Sequence, residues 1–114
     1  MYLPVGRLLV LFFLAQYFEA AQTFSEALDL IESQGAGAKD SASPLYRQMI
    51  TLMNNRSAMY EKGSFHELAL DDCDNILVLD AKHSKARTRK LRILEGQKNY
   101  EAALVEVCAI QLLF

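Results

Sequence analysis

The sequence predicts an all-α chain folded as three stacked antiparallel helical hairpins. Three observations carry this expectation. Apolar residues recur at helical spacing between short polar breaks. No stretch sustains the alternation of a strand. Equivalent positions in the carboxy-terminal part stand 34 residues apart, the length of one helix-turn-helix repeat (Ala69 to Ala103, 103 − 69).

The elements follow in order. Residues 8–15 form an uninterrupted apolar run of eight residues (15 − 8 + 1). A membrane-spanning helix needs about 20 such residues. A secretory signal would combine a basic start, a short apolar region and small residues before the cut. Arg7 and Ala20-Ala21 supply weak versions of these. The hairpin reading instead makes this run the core face of the first helix of a hairpin over about 4–33. Residues 34–43 read QGAGAKDSAS and predict a loop, since Gly, Ala, Ser and Asp concentrate there without an apolar period. Ser43-Pro44 has the form of a cap followed by proline in the first turn. A second hairpin is expected over about 44–79, broken at Lys62-Gly63-Ser64. A third is expected over about 84–113, after the break at residues 80–84. Ser84 is the expected N-cap for its first helix and Asn99 for its second, with Glu101 set to complement the helix dipole.

Repetition extends beyond the alanines. Asn55 and Arg89, inside the preceding helices, are also 34 apart (89 − 55). An earlier copy starts at Tyr17 and Ala20, followed by Phe24 and Ala27. Its spacing to Ala69 is 49 residues (69 − 20), so 15 extra residues fall to the loop and lengthened helices. Small residues such as Ala20, Ala69 and Ala103 let two helices cross closely. A hairpin of this kind cannot bury its apolar face alone, and stacking three gives a continuous core.

Composition excludes several function classes. Hydrophobic residues make up 52%, which argues against global disorder. Twelve basic against fourteen acidic residues give a net charge of −2, so no strong field for nucleic acid is expected. Cys73 and Cys108 form no CxxC pair and no metal spacing with His66 or His83. They are expected as buried thiols, and both histidines as surface residues near turns. No Gly-rich phosphate loop, HExxH or GxSxG occurs. Asp71, Asp72 and Asp74 do not converge on one metal from a helix, and Cys73 stands seven residues from His66 on a different turn. The chain is expected not to be an enzyme and to carry no cofactor.

Several runs resemble a known family. Asn55-Arg56-Ser57-Ala58-Met59-Tyr60 resembles the NRA..Y run in the middle repeat of chaperone-binding tetratricopeptide domains. Leu70-Asp71-Asp72-Cys73-Asp74 looks like the LeDC run that follows it, and Ser84-Lys85-Ala86-Arg87-Thr88-Arg89 is similar to the vKAyyR run of the third repeat. Residues 103–110 are similar to the third repeat of the mitochondrial outer-membrane import receptors of this family. The resemblance covers about residues 45–113 and is poor over 1–16.

It implies a right-handed solenoid of hairpins that binds the acidic carboxy-terminal tails of the 70-kDa and 90-kDa heat-shock chaperones. Such domains clamp the terminal carboxylate with Lys, Asn and Arg side chains, whose charge-assisted bonds are about twice as strong as neutral ones. Carried over residue by residue, Asn55, Lys85 and Arg89 match clamp positions. Lys85 and Arg89 stand four apart, on one helix face. Arg56 and Arg92 could widen the basic rim. Val5 and Leu9 stand where the first hairpin would supply a lysine and an asparagine, so that half of the clamp is missing. The resemblance also implies mitochondrial precursor proteins as partners, no nucleic acid, and a cytoplasmic place or one on the cytosolic face of the mitochondrial outer membrane. Two other readings stay open: a repeat scaffold that binds a partner helix without reading a carboxylate, and a membrane-attached form anchored by the first segment.

Overall fold

The computed structural model describes residues 5–33 and 44–113. Among these the chain is all-α. Its helices are α1 (Val5–Ser33), α2 (Pro44–Lys62), α3 (His66–Leu79), α4 (Ser84–Gly96) and α5 (Tyr100–Leu113). Each packs against the next in chain order, and α2 also meets α4. The expected loop 34–43 and the Ser43 cap lie outside the described residues, whereas Pro44 does open α2.

The breaks at 63–64 and 80–83 fall between helices as expected. The turns after α2 and α4 are the same device. Ser64 and Lys98 take the left-handed conformation, with φ of 66° and 61°. The Ser64 and Phe65 amides donate to Glu61 and Tyr60, and the Lys98 and Asn99 amides donate to Glu95 and Leu94. This is the Schellman closure, which satisfies two carbonyls left over at a helix end. Ser64 and Lys98 are 34 residues apart (98 − 64), so the backbone itself repeats at that period. Asn99 caps α5 through its Oδ1, which accepts from the Ala102 amide at 3.4 Å. For α4 the cap is His83, not Ser84: the His83 Nδ1 accepts from the Ala86 amide at 3.1 Å. Ser84 is then the first helical residue.

One expectation fails over residues 4–33. α1 is one continuous helix of 29 residues rather than a hairpin. The cause is local. From Arg7 to Leu28 there is no Gly, Pro, Asn or Asp, and a turn near Ala15 would fall among helix formers. The apolar run is therefore not core. Leu8, Leu9, Val10, Leu11, Phe12 and Phe13 are each about half exposed, at 49–56%. By length and composition α1 is apolar enough to cross a membrane over Gly6–Ser33. Packing onto the other helices begins near Tyr17 and Phe18. The Phe18 ring lies 5.2 Å from that of Phe65, and a Cβ on Gly63 would come within 3.2 Å of Tyr17.

The core sits where α1, α2, α3 and α4 meet, around Leu28, Met53, Ile76 and Ala86. The small residues do what their size permits. Ala69 and Ala103 are buried at the α2/α3 and α4/α5 crossings, and Ser57 is fully buried, donating to the Ala69 carbonyl. In α1 the fully buried alanine is Ala21, one position after the expected Ala20. Polar bridges tie the layers together. Arg56 donates twice to Asp72, at 2.8 and 2.5 Å, and once to Ser25 of α1 at 3.0 Å. Buried Glu106 of α5 accepts from Arg87 at 2.9 Å and from Lys90 at 3.0 Å, and Lys90 reaches Asp74 of α3 at 2.8 Å. Burial alone would lower the Lys90 pKa, yet the bonds to Asp74 and Glu106 together raise it.

Candidate functional site

α2 and α4 run side by side, and the clefts along their seam hold the residues singled out in the sequence. A cleft of about 450 Å³ is lined by Asn54, Asn55 and Thr51 of α2, by the 80–83 turn, and by Ser84 and Lys85. A second, of about 220 Å³, continues along α4 through Lys85, Thr88, Arg89 and Arg92. Ser84 and Lys85 belong to both. Asn55 and Lys85 are exposed. Lys85 enters no ion pair among the described residues.

Arg89 is placed differently. It is 9% exposed, and its Nη1 donates to the Asn54 Oδ1 at 2.7 Å. Its Nε lies 3.5 Å from Glu61 and has no hydrogen-bond partner among the described residues. The guanidinium therefore braces α4 against α2 and reaches the cleft by an edge. Arg92 is pinned as well, donating two bonds of 2.7 Å to Glu61. Those bonds chiefly hold the Glu61 carboxyl below its usual range; burial opposes this, and the Arg92 and Arg89 charges add to it.

The rest of the expected basic rim divides. Arg92 lines the second cleft, but Arg56 does not belong to either: its charge is spent on Asp72, on the α3 side of α2. The cation-rich mouth is supplied by Lys82 and Lys85, with Asp80 as the opposing carboxylate. Asp80 is itself engaged, its Oδ1 accepting from the Lys82 amide at 3.1 Å. The capping bond of His83 fixes its ring at the same mouth. A concave, cation-bordered cleft with exposed amide and ammonium donors can bind an anionic group by charge-assisted hydrogen bonds.

Sequence reasoning missed Asn54 and Glu61. A signal for both was present. They are seven apart on α2, hence on one face, and they meet Arg89 and Arg92, which are three apart on α4. The cysteines also divide. Cys73 is fully buried beside Ser57 at 3.3 Å, whereas Cys108 is exposed and corrects the expectation of two buried thiols. Burial pushes the Cys73 thiol pKa up, with Ser57 and Arg89 opposing. His66 is exposed at the start of α3, as expected, while His83 is half-buried.

A separate groove of about 540 Å³ lies between α1 and α2. It is lined mainly by Ala27, Leu30, Ile31, Leu45 and Leu52. It touches the cation-bordered cleft through Thr51, which lines both. No protein-family model matches the chain, and no solved structure matches it significantly.

Proposed function

We propose that this chain is a non-catalytic, protein-binding helical-repeat adaptor of the tetratricopeptide type, and that the α2/α4 cleft takes the acidic carboxy-terminal tail of a heat-shock chaperone. The repeat reading is supported by the two Schellman turns 34 residues apart and by the buried alanines Ala69 and Ala103 at the same spacing. The tail reading rests on one observation above all: Asn55 and Lys85, from different helices, face the same cleft. Lys85 and Asn55 then make the direct contacts with the terminal carboxylate. Arg89 sets the spacing of the two helices and adds its charge from beneath. A cytoplasmic adaptor or one on the cytosolic face of the mitochondrial outer membrane is the setting this reading implies, with precursor proteins as further partners.

The test is a titration with a peptide ending in Glu-Glu-Val-Asp, as the free acid and as the amide. The free acid is expected to bind in the micromolar range and more weakly as salt rises. Lys85→Ala and Asn55→Ala each weaken it by about tenfold, the cost of one charge-assisted contact. Equal binding of the amide would end the carboxylate reading. It would favour the scaffold reading instead, in which a partner helix enters the apolar α1/α2 groove.

A further inference from the structure

We infer that two copies of this chain pair antiparallel through α1, the amino-terminal half of each helix covering the carboxy-terminal half of the other. The inference is independent of the α2/α4 cleft.

It starts from a strip along α1. Leu9, Phe13, Gln16, Thr23, Ala27 and Leu30, with Ala20 at the centre, follow alternating steps of four and three. That spacing keeps them on one side of a helix, as in the seam of a coiled coil. None of the seven is buried: Leu9 is 51% exposed, Phe13 50% and Leu30 65%. In its carboxy-terminal half the strip borders the apolar groove through Ala27 and Leu30.

The order of side chains selects the direction. Antiparallel pairing about Ala20 sets Leu9, to within one residue, opposite Leu30 of the second copy. It sets Phe13 opposite Ala27 and Gln16 opposite Thr23. Phe13 then meets a small residue, leucine meets leucine and polar meets polar, so that the bulky ring has room between facing layers. Parallel pairing would set Phe13 on Phe13 and leave Ala27 on Ala27, a clash beside a gap. The twofold arrangement is closed, since each contact occurs twice.

The area suffices. A large aromatic side chain can bury 150–250 Å², so the half-exposed Leu9 and Phe13 together with Leu30 offer roughly 300 Å² per copy on this side. Counting the smaller strip residues and the facing groove on both copies, the pair would bury on the order of 1,000 Å², at the lower end of specific interfaces. A lipid bilayer is the competing cover for this segment. By length and composition α1 is apolar enough to cross it over Gly6–Ser33. Its later part, however, packs on α2 and buries Ala21, Leu28 and Ile31. The apolar run left free over 8–15 is then about 12 Å long at 1.5 Å per residue, against a hydrocarbon core of about 30 Å. Arg7, Gln16 and Glu19 flank it.

The experiment uses the full chain with Cys108→Ser as background. Leu9→Cys combined with Leu30→Cys should give a cross-linked dimer under mild oxidation, and Leu9→Cys alone should not. Light scattering should report a mass that rises to twice the chain's at micromolar concentration. Phe13→Glu and Leu30→Glu, at opposite ends of the strip, should each weaken association by about tenfold or more with helicity unchanged. The chain should stay off phosphatidylcholine vesicles. A monomer at every concentration overturns the inference. So does cross-linking by Leu9→Cys alone, or loss of association with Phe13→Glu but not with Leu30→Glu. Binding of monomeric chain to vesicles would assign the segment to lipid instead.

Discussion

Arg89 donates to Asn54 at 2.7 Å, so the guanidinium is held by the neighbour of Asn55, which stands 34 residues before it (89 − 55). Two adjacent amides on α2 thus have separate duties. Asn54 faces α4 and supports a buried cation, while Asn55 is exposed at the cleft. Asn54→Ala is expected to cost about 1–3 kcal/mol, because it leaves a buried charged donor without its acceptor. Asn55→Ala should stay within about 0.5 kcal/mol in stability and act on peptide binding alone. Urea midpoints and peptide titrations of the two variants separate the roles. Equal loss of stability would mean that Asn55 also supports the fold.

Glu61 gives the structure a defined acid response. Its carboxyl lies below the usual range because Arg92 donates two hydrogen bonds to it, against the opposing effect of burial. A carboxylate whose folded pKa is depressed contributes stability that is complete above its unfolded value, about 4.3. That contribution is lost as pH falls through the folded value. Glu61→Gln should therefore flatten the fall in urea midpoint below about pH 5 without changing its shape at neutral pH. Parallel curves for the two proteins would show that the pair contributes nothing.

The two thiols should react at very different rates. Cys108 is exposed, whereas Cys73 is enclosed with its pKa raised chiefly by burial. Since the thiolate is the reactive form, a disulfide reagent at mildly alkaline pH should label Cys108 at once and Cys73 only on unfolding. Rapid labelling of both would place Cys73 outside the core.

The two left-handed residues mark positions where glycine would fit better. Ser64 and Lys98 both carry a side chain at φ near 60° and are exposed. Ser64→Gly and Lys98→Gly are each expected to stabilise by about 0.5–1 kcal/mol, by removing the steric cost of that conformation. Thermal midpoints should rise in both variants and add in the double variant, as the turns are independent. No rise would mean that the side chains make compensating contacts.

The legible parts of the fold were those with punctuation. Gly63, Asp80 and Asn99 stop or start helices by backbone preferences that need no tertiary context. The same rules were silent over residues 7–28, where nothing breaks the helix. There alignment of Tyr17 and Ala20 with the later copies, at a spacing of 49 residues and not 34, suggested a turn that the local sequence cannot make. His83 took the capping role from Ser84 because a ring nitrogen at the preceding residue already meets the Ala86 amide. At the cleft, face and spacing placed Asn55 and Lys85 together. They could not say that Arg89 would be buried, because that depends on Asn54 and Glu61 arriving from α2. Arg56 shows the same limit, since Asp72 on the next helix claims it.

The overhang of α1 also changes how the molecule moves through solvent. Its extents are 57 × 36 × 15 Å and its radius of gyration is 16.3 Å. A compact chain of this length would have a radius of gyration of about 13 Å. A thin plate with a projecting rod drags more water than a sphere of equal mass. On a sizing column calibrated with spheres, a single copy should elute early and mimic a heavier particle. Retention volume alone would thus count one copy as nearly two, and the stoichiometry has to be read from scattered light or sedimentation equilibrium.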